Sequence, residues 1–137
     1  MILQDAALIG AGVIGGVVAL IHGALTERLM VRPVAALMQG DRRTGAPVRR
    51  LVPLLLRFST FNWLIGGLAL VAAGLWLDGQ ARLAVGLLVG SSYLFAALGN
   101  LWGVRTLHPG WMLLTAALGL MAYGLWPSAV QALRAIA

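Results

Sequence analysis

Four apolar stretches, near residues 6–25, 58–77, 83–102 and 109–126, contain no Asp, Glu, Lys or Arg, and this restricts the chain more than any other feature. Each approaches the roughly 20 residues that carry a helix across a hydrocarbon core of about 30 Å at about 1.5 Å per residue. Backbone N–H and C=O groups in lipid need partners inside the spanning structure, which leaves helices or a closed barrel. Barrel strands would alternate in polarity over about ten residues, and these stretches do not alternate. The expectation is an all-α integral membrane four-helix bundle. Residues 1–137 form a single transmembrane domain, with a cytoplasmic loop over about 26–57.

The rest of the composition agrees. With 61% hydrophobic and 10% charged residues, the chain lacks the roughly 25% charge that coats a soluble domain. Met1-Ile2-Leu3-Gln4-Asp5 is acidic rather than basic, so the first span is expected to stay in the protein and not to be cleaved as a signal peptide. There is no cysteine, which excludes disulfides, thiol redox chemistry and thiolate metal sites.

The net charge of +6 is carried by arginine alone, because the chain has no lysine. Arg28, Arg32, Arg42, Arg43, Arg49, Arg50, Arg57 and Arg105 fall at one end of the spans, and only Arg82 and Arg134 at the other. The positive-inside rule then places both termini outside a bacterial inner membrane and the long loop in the cytoplasm. Charge distributed in this way is a topology signal or an anionic-lipid surface, and a nucleic-acid partner is not expected. Within the loop, residues 33–38 read as a short interfacial helix, 40–47 as a turn, and 48–56 as an extension of the second span.

Two further patterns concern packing. An offset of 50 positions aligns the second span with the fourth and matches seven of twenty residues, Gly74-Leu75-Trp76 with Gly124-Leu125-Trp126 among them. This is a weak parallel 2+2 repeat. Small residues recur at helical spacing and predict the inward faces: Gly12, Gly16, Ala19 and Gly23; Ser59, Gly66, Ala69 and Ala73; Ser92, Ala96, Gly99 and Gly103; Thr115, Gly119 and Ala122. Gly12/Gly16, Gly86/Gly90 and Gly99/Gly103 are spaced GxxxG, and Gly86/Gly90 is expected to serve a second copy or a larger partner.

The strongly polar residues of the spans fall on these stripes. His22, Asn62 and Asn100 each lie five residues inside a charged residue, Glu27, Arg57 and Arg105 respectively, or about 7–8 Å of helix. His108 opens the fourth span. The seven residues therefore predict a polar cluster facing the bundle interior near the cytoplasmic side, with Glu27, Arg57, Arg105 and His108 as its rim. Such groups in a membrane mark a pathway or ligand site, or they hold helices together.

Guanidinium groups above amides and imidazoles suit a polar or anionic head, lipid-like, quinone-like or that of a transported solute. The alternative is a non-catalytic structural or assembly subunit, either self-associating or part of a larger membrane complex, with membrane lipids as its other contacts. The other half of the bundle reads as drier, which speaks against a channel. No G-x-S-x-G, H-E-x-x-H or P-loop occurs, so no catalytic residue can be named. Haem on His22 and His108 is disfavoured, because His22 lies about a turn deeper than His108 and no CxxCH motif is present. Glu27 is the only other ligand at that depth, so no metal site is expected.

Overall fold

The computed structural model describes residues 2–135. Helix α1 (Leu3–Thr26) starts where the Ile2 N–H donates to the Asp5 carboxylate at 3.0 Å. It runs into one π turn, Glu27–Val31, and on into α2 (Arg32–Gly40) without a break, 38 residues in all. Pro33 accounts for the π turn. It has no N–H for the Leu29 carbonyl and its ring would crowd that oxygen, so the helix widens just before it. α3 spans Ala46–Trp76, α4 Gly79–Val104 and α5 Pro109–Arg134. Four helical rods result, each long and apolar enough to cross a membrane.

The connections are tight. At Asp41–Gly45 the Asp41 carboxylate accepts the Thr44 hydroxyl at 2.7 Å and the Arg43 N–H at 2.9 Å. These bonds, the hydroxyl's first, hold the Asp41 carboxyl below the usual carboxylate range. α3 and α4 are joined through Leu77 and Asp78, and Gly79 makes the reversal at φ +51°, a region that L side chains rarely adopt. α5 opens with Pro109 in its first turn, where the missing N–H costs nothing.

The segment from 26 to 57 is therefore helical except for Asp41–Gly45. Residues 33–38 sit in the middle of α2 rather than in a separate interfacial helix, and 48–56 extend α3 as expected.

Each helix packs beside the next rod in the chain, and α5 closes the ring against α1, so α1/α4 and α3/α5 lie on the diagonals. The closest crossing is α1 on α3. A Cβ on Gly67 would lie 2.7 Å from the Gly12 carbonyl oxygen and 2.9 Å from the Gly16 nitrogen. Gly74 and Gly124, aligned by the 50-residue offset, press on the first turns of α1 from two sides. Their absent Cβ atoms would lie 3.1 Å from the Asp5 oxygen and 2.9 Å from the Gln4 oxygen. Leu8, Leu70, Tyr93 and Leu114 are fully buried between the rods. Tyr93 reaches across the diagonal until its hydroxyl fills the space that a Cβ on Gly15 would take, and it donates to the Trp63 carbonyl at 3.4 Å.

Packing corrects two of the predicted faces. On α5, Thr115, Gly119 and Ala122 are exposed, and Leu114, Ala117, Met121, Gly124, Leu125 and Ser128 face inward. The small residues that meet this face belong to α4: Gly86 takes Leu125, and Gly90 takes the tip of Met121. Gly86/Gly90 is thus occupied within the chain, whereas Gly99 and Gly103 have nothing within 4 Å. Thr115 can face outward because its hydroxyl donates back to the Trp111 carbonyl at 2.9 Å.

The outer surface carries Phe95, Leu88, Leu20 and Leu68 between 59% and 80% exposed. A continuous apolar exterior of this kind is what a bilayer covers.

Candidate functional site

The structure divides the seven predicted residues among three places. His22, Asn100 and His108 come together. They line a cavity of about 160 Å³ between α1, α4 and α5, with Trp63 of α3 behind it and Val18, Ile21 and Leu113 among its apolar walls.

His22 is half-buried and packs against the Trp63 ring, centroids 4.5 Å apart. Its Nε2 lies 3.5 Å from the Ser59 hydroxyl, which itself donates to the Leu56 carbonyl at 3.3 Å. Ser59 thus occupies one ring nitrogen of His22, and the other, Nδ1, has no hydrogen-bond partner among the described residues.

His108 caps α5. Its Nδ1 accepts the Gly110 N–H at 3.1 Å, so in the neutral ring the proton sits on Nε2, which remains a free donor. Asn100 gives its amide N–H to the Ala96 carbonyl at 2.8 Å and keeps its own carbonyl oxygen unspent. One cavity therefore offers a free ring nitrogen on each of two imidazoles and an amide acceptor, framed by hydrocarbon.

Glu27 and Arg57 form the second place. The Arg57 Nε and Nη2 donate to the two Glu27 oxygens at 3.0 and 3.2 Å, and Arg32 adds a contact at 3.7 Å. This clamp fastens the π turn to α3. Beneath it a groove of about 370 Å³ runs between α1 and α3, past Gly23, Thr60, Phe61 and Leu64. Of the two arginines read with Glu27 as the rim, Arg57 pairs with it. The other, Arg105, ends α4 in the left-handed region at φ 54° and stands exposed.

Asn62 occupies the third place, and here the inward reading is wrong. Its side chain is exposed on the α3/α4 side, where it donates to the Ser92 hydroxyl at 2.6 Å beside a separate cleft of about 270 Å³. Trp63, the next residue, takes the interior position. A hydroxyl on the adjacent helix satisfies part of the amide, so Asn62 need not point at the core.

The expectation of a dry opposite half also fails. Near the termini, Arg82 is only 8% exposed and donates to Asp5 at 2.7 Å, to the Leu77 carbonyl at 2.8 Å and to the Gly74 carbonyl at 3.5 Å. Charges at the ends of spans read from sequence as surface groups, and only the rotation of α4 shows that this one is enclosed. Of the two residues that flank His22, Ser59 was read only as part of the inward stripe of the second span, and Trp63, one helical turn further along α3, was unmarked.

Fold and site together define a class: a multi-pass, all-helical membrane bundle with small recesses between its helices. No protein-family model matches the chain, and neither a curated protein nor a solved structure does. Among the described residues no group of three His, Cys, Asp or Glu side chains gathers to hold a metal ion.

Proposed function

We propose that this is a bacterial inner-membrane protein with both termini outside, and that the His22–Asn100–His108 cavity binds the polar head of a small lipid-soluble ligand. The observation that carries the reading is the unspent hydrogen-bonding capacity in that cavity: His22 Nδ1, His108 Nε2–H and the Asn100 carbonyl oxygen, with apolar walls around them. Cavities that enclose a whole small molecule measure about 300–1,000 Å³. At about 160 Å³ this one suits a head alone, with the tail left in lipid.

Arg57 and Arg105 do not line it. The head it favours is therefore neutral and carries both acceptors and donors, as the hydroquinone form of a quinone does, rather than an anion. The eight-to-two distribution of arginine supports the orientation, which puts the cavity in the cytoplasmic half.

A second reading, a structural or assembly subunit, draws on a different observation. The Asn62–Ser92 pair and the unoccupied Gly99/Gly103 face lie on the outside of the bundle, where another transmembrane helix would cover them.

Native mass spectrometry from lipid nanodiscs, with an absorption spectrum of the same sample, separates the two. A retained non-phospholipid molecule that is lost in His22→Ala and kept in Asn62→Ala supports the cavity. A bare protein whose oligomer mass changes in Asn62→Ala sinks it in favour of the subunit.

A further inference from the structure

The groove between α1 and α3 under the Glu27–Arg57 clamp plays no part in the proposed ligand cavity. Its floor is apolar, with Leu64 inside and Phe61 60% exposed at its edge. Two threonines, Thr26 and Thr60, also line it, and Thr60 Oγ1 is buried without a hydrogen-bond partner among the described residues. At the head of the groove stand charges: Glu27 bound by Arg57 and approached by Arg32, with exposed Arg28 the next residue along the π turn. Two guanidinium groups, Arg57 and Arg32, approach one carboxylate, and Arg28 adds a third positive charge at the next position in the chain, so the head of the groove is net positive.

Depth matters as much as sign. α3 continues from Arg57 back to Ala46, and α1 continues through the π turn into α2. Glu27 and Arg57, joined to each other, are the first charged residues met on leaving the charge-free spans of the two rods at this end. Headgroups occupy about 5–8 Å beyond the hydrocarbon on each side of a bilayer. Arg28, Arg32 and Arg57 fall in that layer, within about one turn of helix of one another along their rods. Leu29 and Met30, 70% and 47% exposed, carry apolar surface past Arg28 along the π turn.

We infer that the α1/α3 groove is a site for an anionic phospholipid, its phosphate held by Arg28, Arg32 and Arg57 and one acyl chain laid along Gly23, Phe61 and Leu64. The Arg57 guanidinium spends two of its N–H groups on Glu27 and keeps others for a phosphate oxygen. A zwitterionic headgroup would bring its ammonium into the same three guanidiniums, so the groove selects net negative charge. Arginines near an anionic leaflet also arise as a topology signal alone, and in that case no individual lipid is held.

The full chain is placed in nanodiscs of equimolar phosphatidylglycerol and phosphatidylcholine, and the lipids retained on the ejected protein are counted. The expected result is preferential retention of phosphatidylglycerol. The preference should fall about five-fold for each of Arg28→Gln and Arg32→Gln, the equivalent of roughly 1 kcal/mol per arginine. Both side chains are exposed, so the bundle survives the changes, and unaltered thermal unfolding of the variants confirms that. Added inorganic phosphate should leave the count unchanged, whereas displacement by it would mean that a free anion is the true occupant. Equal retention of the two lipids, or a preference untouched by both substitutions, overturns the inference. His22→Ala should not alter the count, so failure of the ligand cavity is read separately.

Discussion

Tyr93 and Gly15 offer the sharpest test of the packing. Tyr93 is fully buried, and the position a Gly15 Cβ would occupy already holds its hydroxyl and ring edge. The ring cannot swing away, because Gly66 on α3 and Val89 on its own helix hem its other side; a Cβ at Gly66 would lie 3.6 Å from Tyr93 Cε1 and 3.1 Å from Val89. Gly15→Ala should therefore cost about 1–3 kcal/mol, the usual range for overpacking a closed core. Tyr93→Leu removes the obstructing atoms and a hydrogen bond that is long at 3.4 Å. In lipid the water-transfer part of a truncation is absent, and the expected loss is about 1–2 kcal/mol of packing. In the double variant the new methyl enters the space the ring has left. It should be less destabilised than the two singles summed, by about 1 kcal/mol or more, as expected for residues in contact. Reversible unfolding in mixed detergent micelles, followed by the fluorescence of buried Trp63, measures all four corners of this cycle. Additivity to within about 0.3 kcal/mol would mean that Tyr93 does not reach Gly15, and the diagonal contact at the centre of the bundle would be wrong.

The glycines at the α1/α3 crossing and those of the Gly99/Gly103 pair should behave differently under the same change. Gly67→Ala or Gly12→Ala should separate α1 from α3 and lower the unfolding midpoint clearly, while Gly99→Ala and Gly103→Ala, with nothing within 4 Å, should leave it within error; equal effects would refute the assigned crossings. Asn62→Leu removes the 2.6 Å bond to Ser92 from an exposed position and should change stability by no more than about 0.6 kcal/mol, the average for such bonds in a membrane. A loss several times larger in the same unfolding assay would show that Asn62 is buried after all. Arg82→Met strands the Asp5 carboxylate and the Gly74 and Leu77 carbonyls together, whereas Asp5→Asn keeps a hydrogen-bonding partner for the guanidinium. Hydrogen exchange in the first turns of α1 should quicken more in Arg82→Met, and equal protection in both variants would mean that the pair is solvated.

What could be read from sequence, and what could not, follows from how local each constraint is. The spans were legible because lipid tests each segment by itself: an apolar run of sufficient length becomes a helix whatever its neighbours are. The depth of His22, Asn100 and His108 was legible for the same reason, since residues counted from a charged boundary give a level along the rod. Rotation about the rod is a property of pairs, and there the reading failed where packing was asymmetric. Assuming that small residues face small residues works for Gly12, Gly16 and Gly67, where two backbones touch. It fails for α5, where Met121 and Leu125 enter the hollows left by Gly90 and Gly86, so that the large residues of one helix answer the small residues of the other. Polar residues mislead in the same way. Thr115 and Ser91 return their protons to their own helix, and Asn62 gives one to a neighbour at the surface, so none of them needs the interior. Arg82 has no such local outlet for five donors, and its burial follows from the carboxylate of α1 and the carbonyls at the C-terminal end of α3. A polar side chain in a span thus reports the bundle interior only to the extent that its own helix and nearest neighbour cannot satisfy it. By that criterion His22 Nδ1 and His108 Nε2, still unspent inside the bundle, are the atoms on which a ligand would act.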